Sequence, residues 1–104
     1  MSALETEMLE IGRRARIAAN TLRLASADQR TAALDAIARR LRAKAPAIAQ
    51  ANEADVATAK GNGLSAALID RLQLTHERAA ALAESVATIA AQPDPIGAIT
   101  EDWT

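Results

Sequence analysis

The sequence predicts an all-α chain of about five helices with an extended C-terminal tail. Three observations carry this. Alanine, the residue that loses least on entering a helix, makes up roughly a quarter of the 104 residues. Apolar residues recur at spacings of three and four, which puts them on one helical face. Capping residues and Gly or Pro breakers fall between these runs.

The first helix is predicted from about Ala3 to Leu24, with Leu4, Met8, Ile11, Ala15, Ala18 and Leu22 on one face. Ser26 then reads as an N-cap, with Gln29 completing a capping box. The second helix carries Leu34, Ile37 and Leu41, and its last turn holds Arg39, Arg40, Arg42 and Lys44, where positive charge suits the helix dipole. Pro46 has no N–H to donate and disfavours helix at Ala45, so it is expected to open a third helix as its first residue. Ile48, Ala51, Val56 and Ala59 line that helix. Gly61-Asn62-Gly63 ends it, with Gly61 expected to supply the left-handed conformation of the stop. A short helix follows around Ser65 to Arg71. Thr75 caps the last helix, with Glu77 in its first turn and Leu82, Val86 and Ile89 on its face. Pro93-Asp94-Pro95 stops it, and Ile96, Ala98, Ile99 and Trp103 suggest the start of a strand. The chain thus divides into a helical segment, 1–95, and the start of an extended segment, 96–104, which reads as truncated.

Composition bounds the function. Phe and Tyr are absent and Trp103 is the only aromatic, so large core side chains are mostly Leu and Ile. Alanine buries little area, and such helices are expected to need a partner surface, with self-association as one outcome. A net charge of −1 gives no field to steer nucleic acid or an acidic membrane. With no cysteine there is no disulfide, thiolate chemistry or Cys metal site. No run of about 18 apolar residues offers a membrane span, and Met1 to Glu10 does not resemble a signal peptide. A cytoplasmic location is the expectation, with neither nucleic acid nor membrane as partner.

Several constellations offer candidate sites. His76, the only histidine, follows a helix cap and has no evident orienting partner. Gly61-Asn62-Gly63-Leu64-Ser65-Ala66 fits G-x-G-x-x-A, but a dinucleotide fingerprint must follow a strand, and here a helix precedes it. Asn52 and Asp55 share a helix face that Glu53 does not join, and two oxygen ligands make no Ca²⁺ shell. Arg13-Arg14-x-Arg16 and Arg39-Arg40-x-Arg42-x-Lys44 lack interleaved aromatics and lie among acidic neighbours, so they read as solvated faces. No residue is assigned a catalytic, cofactor-binding or metal role.

One ordered set of pieces is more specific. Ala51-Asn52-Glu53-Ala54-Asp55-Val56 leads into Asn62-Gly63-Leu64-Ser65, then Asp70-Arg71-Leu72-Gln73-Leu74-Thr75, then Arg78, and finally Asp94-Pro95-Ile96-Gly97. In order and spacing this resembles the N-terminal helical region of γ-glutamyl phosphate reductase, also called glutamate-5-semialdehyde dehydrogenase, clearly so from about Leu34 to Gly97. The resemblance implies a parent with an α/β aldehyde-dehydrogenase-like fold. That parent reduces γ-glutamyl phosphate with NADPH to glutamate 5-semialdehyde in proline biosynthesis, through a thioester on a cysteine. This sequence has no cysteine and no complete nucleotide-binding βαβ unit. The chain is therefore expected to be a structural, inactive N-terminal fragment whose partner is the rest of the parent chain, with NADP and the small-molecule substrate bound by the parent alone. The rival expectation is a free-standing helical interaction module without enzymatic activity.

Overall fold

A computed structural model of the protein describes residues 2–103; Met1 and Thr104, the outer ends of the two predicted segments, lie outside the described residues. Four helices follow in order: α1 (Ala3–Leu24), α2 (Ala27–Gly61), α3 (Ala66–Leu72) and α4 (His76–Ala90). The described residues contain no strand. The chain forms two compact units, one combining Met1–Arg30 with Pro93–Thr104, the other running Thr31–Gln92. No described helix is long and apolar enough to cross a membrane.

In the first unit, α1 opens on a capping box: Ser2 Oγ accepts the Glu5 N–H at 3.1 Å, and the Glu5 carboxylate accepts the Ser2 N–H at 2.7 Å. α1 spans the predicted residues but buries none of them. Its predicted apolar face lies open, with Leu4 68%, Met8 57%, Ile11 44% and Leu22 54% exposed. The predicted Ser26–Gln29 box is present, with bonds of 3.1 and 2.9 Å in the two directions.

Arg30 ties this unit together. Its guanidinium donates to the carbonyls of Leu22, at 3.0 Å, and Ala25, which end α1. It also binds Asp94, with Nε 3.1 Å from Oδ2 and a second bond from Nη2. The expected strand start after Pro95 is instead a turn. The Ala98 N–H donates to the Pro95 carbonyl at 3.2 Å, and Gly97 has φ 81°, the positive value a type II turn needs at its third residue. A strand also needs a partner to accept its backbone bonds, and none lies among the described residues.

The second unit holds the largest departure from expectation. Pro46 does not separate two helices; α2 runs through it, so four helices stand where five were predicted. Proline inside a helix costs roughly 3 kcal/mol, from a missing bond and a clash with the carbonyl four residues back. Two features limit that cost. Pro46 and Arg42 are exposed, so the freed Arg42 carbonyl can bond water. The buried residues Ala38 and Ala45 precede Pro46, and Val56 and Ala59 follow it. Their spacings keep one face in phase, and only an unbroken helix presents both halves of it together.

α2 ends in a Schellman motif. The Leu64 N–H donates to the Ala59 carbonyl at 3.1 Å and the Gly63 N–H to Lys60 at 3.1 Å. The residue with positive φ is Gly63, at 76°, and not Gly61, which is the last helical residue. The motif places its left-handed residue at the second position past the helix, so the expectation was two residues early. Ser65 and Thr75 cap α3 and α4 by accepting the N–H of Leu68 at 3.3 Å and Arg78 at 3.1 Å.

The core of this unit is made of alanine. Ala38, Ala45, Val56 and Ala59 of α2 are buried, as are Ala79, Ala83 and Ala90 of α4. Of the larger residues predicted for the inner faces, Val56 is buried and Leu34, Leu41, Ile48 and Val86 are half-buried, whereas Ile37, Leu82 and Ile89 are about half exposed; Ala51 is exposed. Arg42 joins Glu84 across α2 and α4 at 2.6 Å.

Candidate functional site

The best-defined group of polar side chains in the second unit surrounds the link between α3 and α4. Asn52, on the same face of α2 as Val56 and Ala59, uses both ends of its carboxamide there. Nδ2 donates to the Leu72 carbonyl at 3.0 Å, and Oδ1 accepts the Leu74 N–H at 2.6 Å. From the other side Arg78 donates through Nη1 to the carbonyls of Asp70, at 2.6 Å, and Gln73, at 2.9 Å. Its Nη2 reaches Asp70 Oδ1 at 2.9 Å. Three carbonyls at the end of α3 thereby gain donors that the helix cannot supply. The Asn52, Asp70, Thr75 and Arg78 of the sequence motif are thus brought into one clasp. Asn52, a candidate metal ligand by sequence, is a clamp on backbone.

Beside the clasp is a groove of about 440 Å³, lined by Asn52, Glu53, Val56, Lys60, Thr75 and His76 among others. Asn52 is fully engaged, and the Thr75 hydroxyl is held by its own cap bond. Glu53, Lys60 and His76 remain as an exposed rim of mixed charge. Proton transfer needs a base fixed by an orienting partner, and His76 makes no side-chain hydrogen bond among the described residues.

The glycine-rich stretch does not fit a dinucleotide. A phosphate is cradled by free backbone N–H groups at a helix start. Here the N–H groups of Asn62, Gly63 and Leu64 are spent on the carbonyls of Thr58, Lys60 and Ala59, closing α2.

The arginine clusters are partly neutralised by carboxylates. Arg13 grips Glu10 with both Nε, at 2.8 Å, and Nη2, at 2.6 Å. That bond lowers the Glu10 pKa and raises that of Arg13. Asp94 is held below the usual carboxylate range, first by the Ile96 N–H bond to Oδ1 at 2.9 Å and next by Arg30. Sequence reasoning missed Arg30 altogether. Its partner lies 64 positions away, and no local pattern marks such a pair.

No family model matches the chain, and no solved structure matches it. Among curated proteins the chain is 50% identical over 96 residues to the gamma-glutamyl phosphate reductase of Rhodopseudomonas palustris (strain BisB5). The match covers 92% of this chain and 22% of that protein. To the protein of the same name from Bradyrhizobium sp. (strain ORS 278) it is 46% identical over 96 residues, again 92% of this chain and 22% of the relative. To that from Geobacillus thermodenitrificans (strain NG80-2) it is 43% identical over 98 residues, 94% of this chain and 24% of the relative. The chain therefore spans less than a quarter of the length of these relatives. Over nearly all of its own residues it is a homologue of the gamma-glutamyl phosphate reductases, in their N-terminal region.

Proposed function

We propose that the chain is the structural, non-catalytic helical portion of an enzyme that reduces γ-glutamyl phosphate with NADPH to glutamate 5-semialdehyde and phosphate. The reaction belongs to proline biosynthesis, in the cytoplasm. The observation that carries this reading is identity of 43 to 50% across more than nine-tenths of the chain to proteins that share one name. The motif residues Asn52, Asp70 and Arg78 have a mechanical task, holding the α3–α4 link, and this accounts for them without any catalytic role.

The catalytic cysteine and the NADPH site belong, on this proposal, to the remaining three-quarters of such an enzyme, in its α/β aldehyde-dehydrogenase-like part. The half-exposed Ile37, Leu82 and Ile89 of the second unit are the apolar surface that packs against it. Burying the exposed half of each such side chain contributes about 1 kcal/mol.

The test uses the 104-residue chain and the Rhodopseudomonas palustris reductase lacking its matching segment. Each alone is expected to give no NADPH oxidation dependent on γ-glutamyl phosphate; mixed, they are expected to form a complex and recover activity. Turnover by the isolated chain, or failure of the two to bind while the reductase segment binds its own natural counterpart, overturns the proposal.

A further inference from the structure

The chain holds three asparagines, Asn20, Asn52 and Asn62, in three different settings. Asn20 lies in α1 and Asn52 in α2, so the N–H groups that follow them, of Thr21 and Glu53, are held in helix ladders. The Asn52 carboxamide is also bound at both ends. Asn62 stands one residue past α2, exposed, and its carboxamide makes no hydrogen bond among the described residues. The next residue is Gly63, which has no side chain to crowd its nitrogen, and a Cβ built there would meet nothing within 4 Å. The Gly63 N–H is held by a single bond, to the Lys60 carbonyl at 3.1 Å, at a helix end, where ladders fray.

We propose that Asn62 is a self-modification site, deamidated by the backbone nitrogen of Gly63. That nitrogen gives up its proton and bonds to the Asn62 Cγ. The Cγ–Nδ2 bond breaks, and ammonia leaves with the proton. The product is a five-membered succinimide. Water then adds to one ring carbonyl. Attack at Cγ leaves an aspartyl residue at position 62; attack at the main-chain carbonyl leaves an isoaspartyl one. Water is consumed and ammonia released, with no oxidant or cofactor. Either product disturbs the end of α2. The new carboxylate sits at a helix C-terminus, where the dipole disfavours negative charge. The isoaspartyl form also adds a CH₂ to the main chain, which moves the Gly63 and Leu64 N–H groups away from the Lys60 and Ala59 carbonyls that they bond. The modification therefore loosens the stop between α2 and α3. The same bonds set its rate. Attack requires the Gly63 nitrogen to be released from Lys60, so the rate follows the open fraction of the last turn. The site is a property of this turn and does not depend on the reductase reading.

The test incubates the full 104-residue chain in mildly alkaline buffer and locates lost carboxamides by peptide mass mapping. Ammonia release is the second readout. Modification is expected at position 62, at least about tenfold faster than at Asn20 or Asn52, whose following N–H groups open only with their helices. Asn62→Gln is expected to suppress it, because the longer side chain would have to close a six-membered ring. Gly61→Ala, which favours the helical last turn, is expected to slow it about threefold, and unfolding in urea to speed it. Positions 61 and 62 are exposed, so unchanged helical circular dichroism checks folding of both variants. No modification at position 62 in the folded chain, equal loss at Asn20 or Asn52, or a rate indifferent to Gly61→Ala or to urea would each overturn the proposal.

Discussion

Asn52 and Leu74, 22 positions apart, are joined by the carboxamide Oδ1 accepting the Leu74 N–H at 2.6 Å. The same side chain binds Leu72 through Nδ2, so one residue of α2 fixes the whole link before α4. Asn52→Ala removes both bonds at once. It should cost about 1–3 kcal/mol, because the link's N–H and carbonyl then lose their partners. Asn52→Asp keeps the acceptor and should cost less. Urea denaturation of the three proteins checks the order.

Gly61 and Gly63 should respond oppositely to alanine. Gly63 has φ 76° and closes the Schellman motif, so Gly63→Ala should destabilise by about 1 kcal/mol. Gly61 is helical, and a Cβ built there meets nothing within 4 Å. Gly61→Ala should stabilise by about 0.5–1 kcal/mol. Thermal melts of both single variants read the sign directly.

Ala83 is fully buried while its neighbour Leu82 is about half exposed. Ala83→Leu should overpack the alanine core and cost about 1–3 kcal/mol. Leu82→Ala should cost the 104-residue chain no more than about 1 kcal/mol, because half of the side chain is already in water. Equal costs for the two would mean that the core is not where the buried alanines place it.

Asp94 links folding to pH. Its carboxyl is held below its ordinary value in the folded chain, so the native state resists protonation. Its contribution is therefore complete above about pH 4, the unfolded value, and is lost as pH falls through the lower folded value. Acid titration of the melting temperature should show this loss, and Asp94→Asn should remove that part of the pH dependence.

Helix ends were legible because they are local. Ser26 with Gln29, and Thr75 ahead of α4, need only three or four residues to make their bonds, and both form as the sequence predicts. What the sequence hid is set by tertiary contact. Pro46 carries a strong local signal for a break, yet buried residues on both sides keep α2 whole. The inner face was misassigned because α4 carries two candidate stripes, Leu82 with Ile89 and Ala79 with Ala83. Hydrophobicity favours the first, whereas close helix packing uses the second. In the clasp, the motif named Asn52, Asp70 and Arg78 but not what they do; apart from the Arg78–Asp70 pair, the side-chain bonds run to backbone carbonyls and an N–H group, which leave no mark in a sequence.

The central claim, that these 104 residues are a scaffold for a γ-glutamyl phosphate reductase, is tested most directly by substitution. The chain would replace the matching segment of the Rhodopseudomonas palustris (strain BisB5) enzyme, with which it shares 50% identity. NADPH oxidation dependent on γ-glutamyl phosphate would then be measured. The account predicts a folded chimera with kcat within about tenfold of the parent, since no reacting group is exchanged and a tenfold loss is only about 1.4 kcal/mol. A chimera that folds and binds substrate yet has no turnover would contradict it, because the exchanged residues would then hold part of the chemistry.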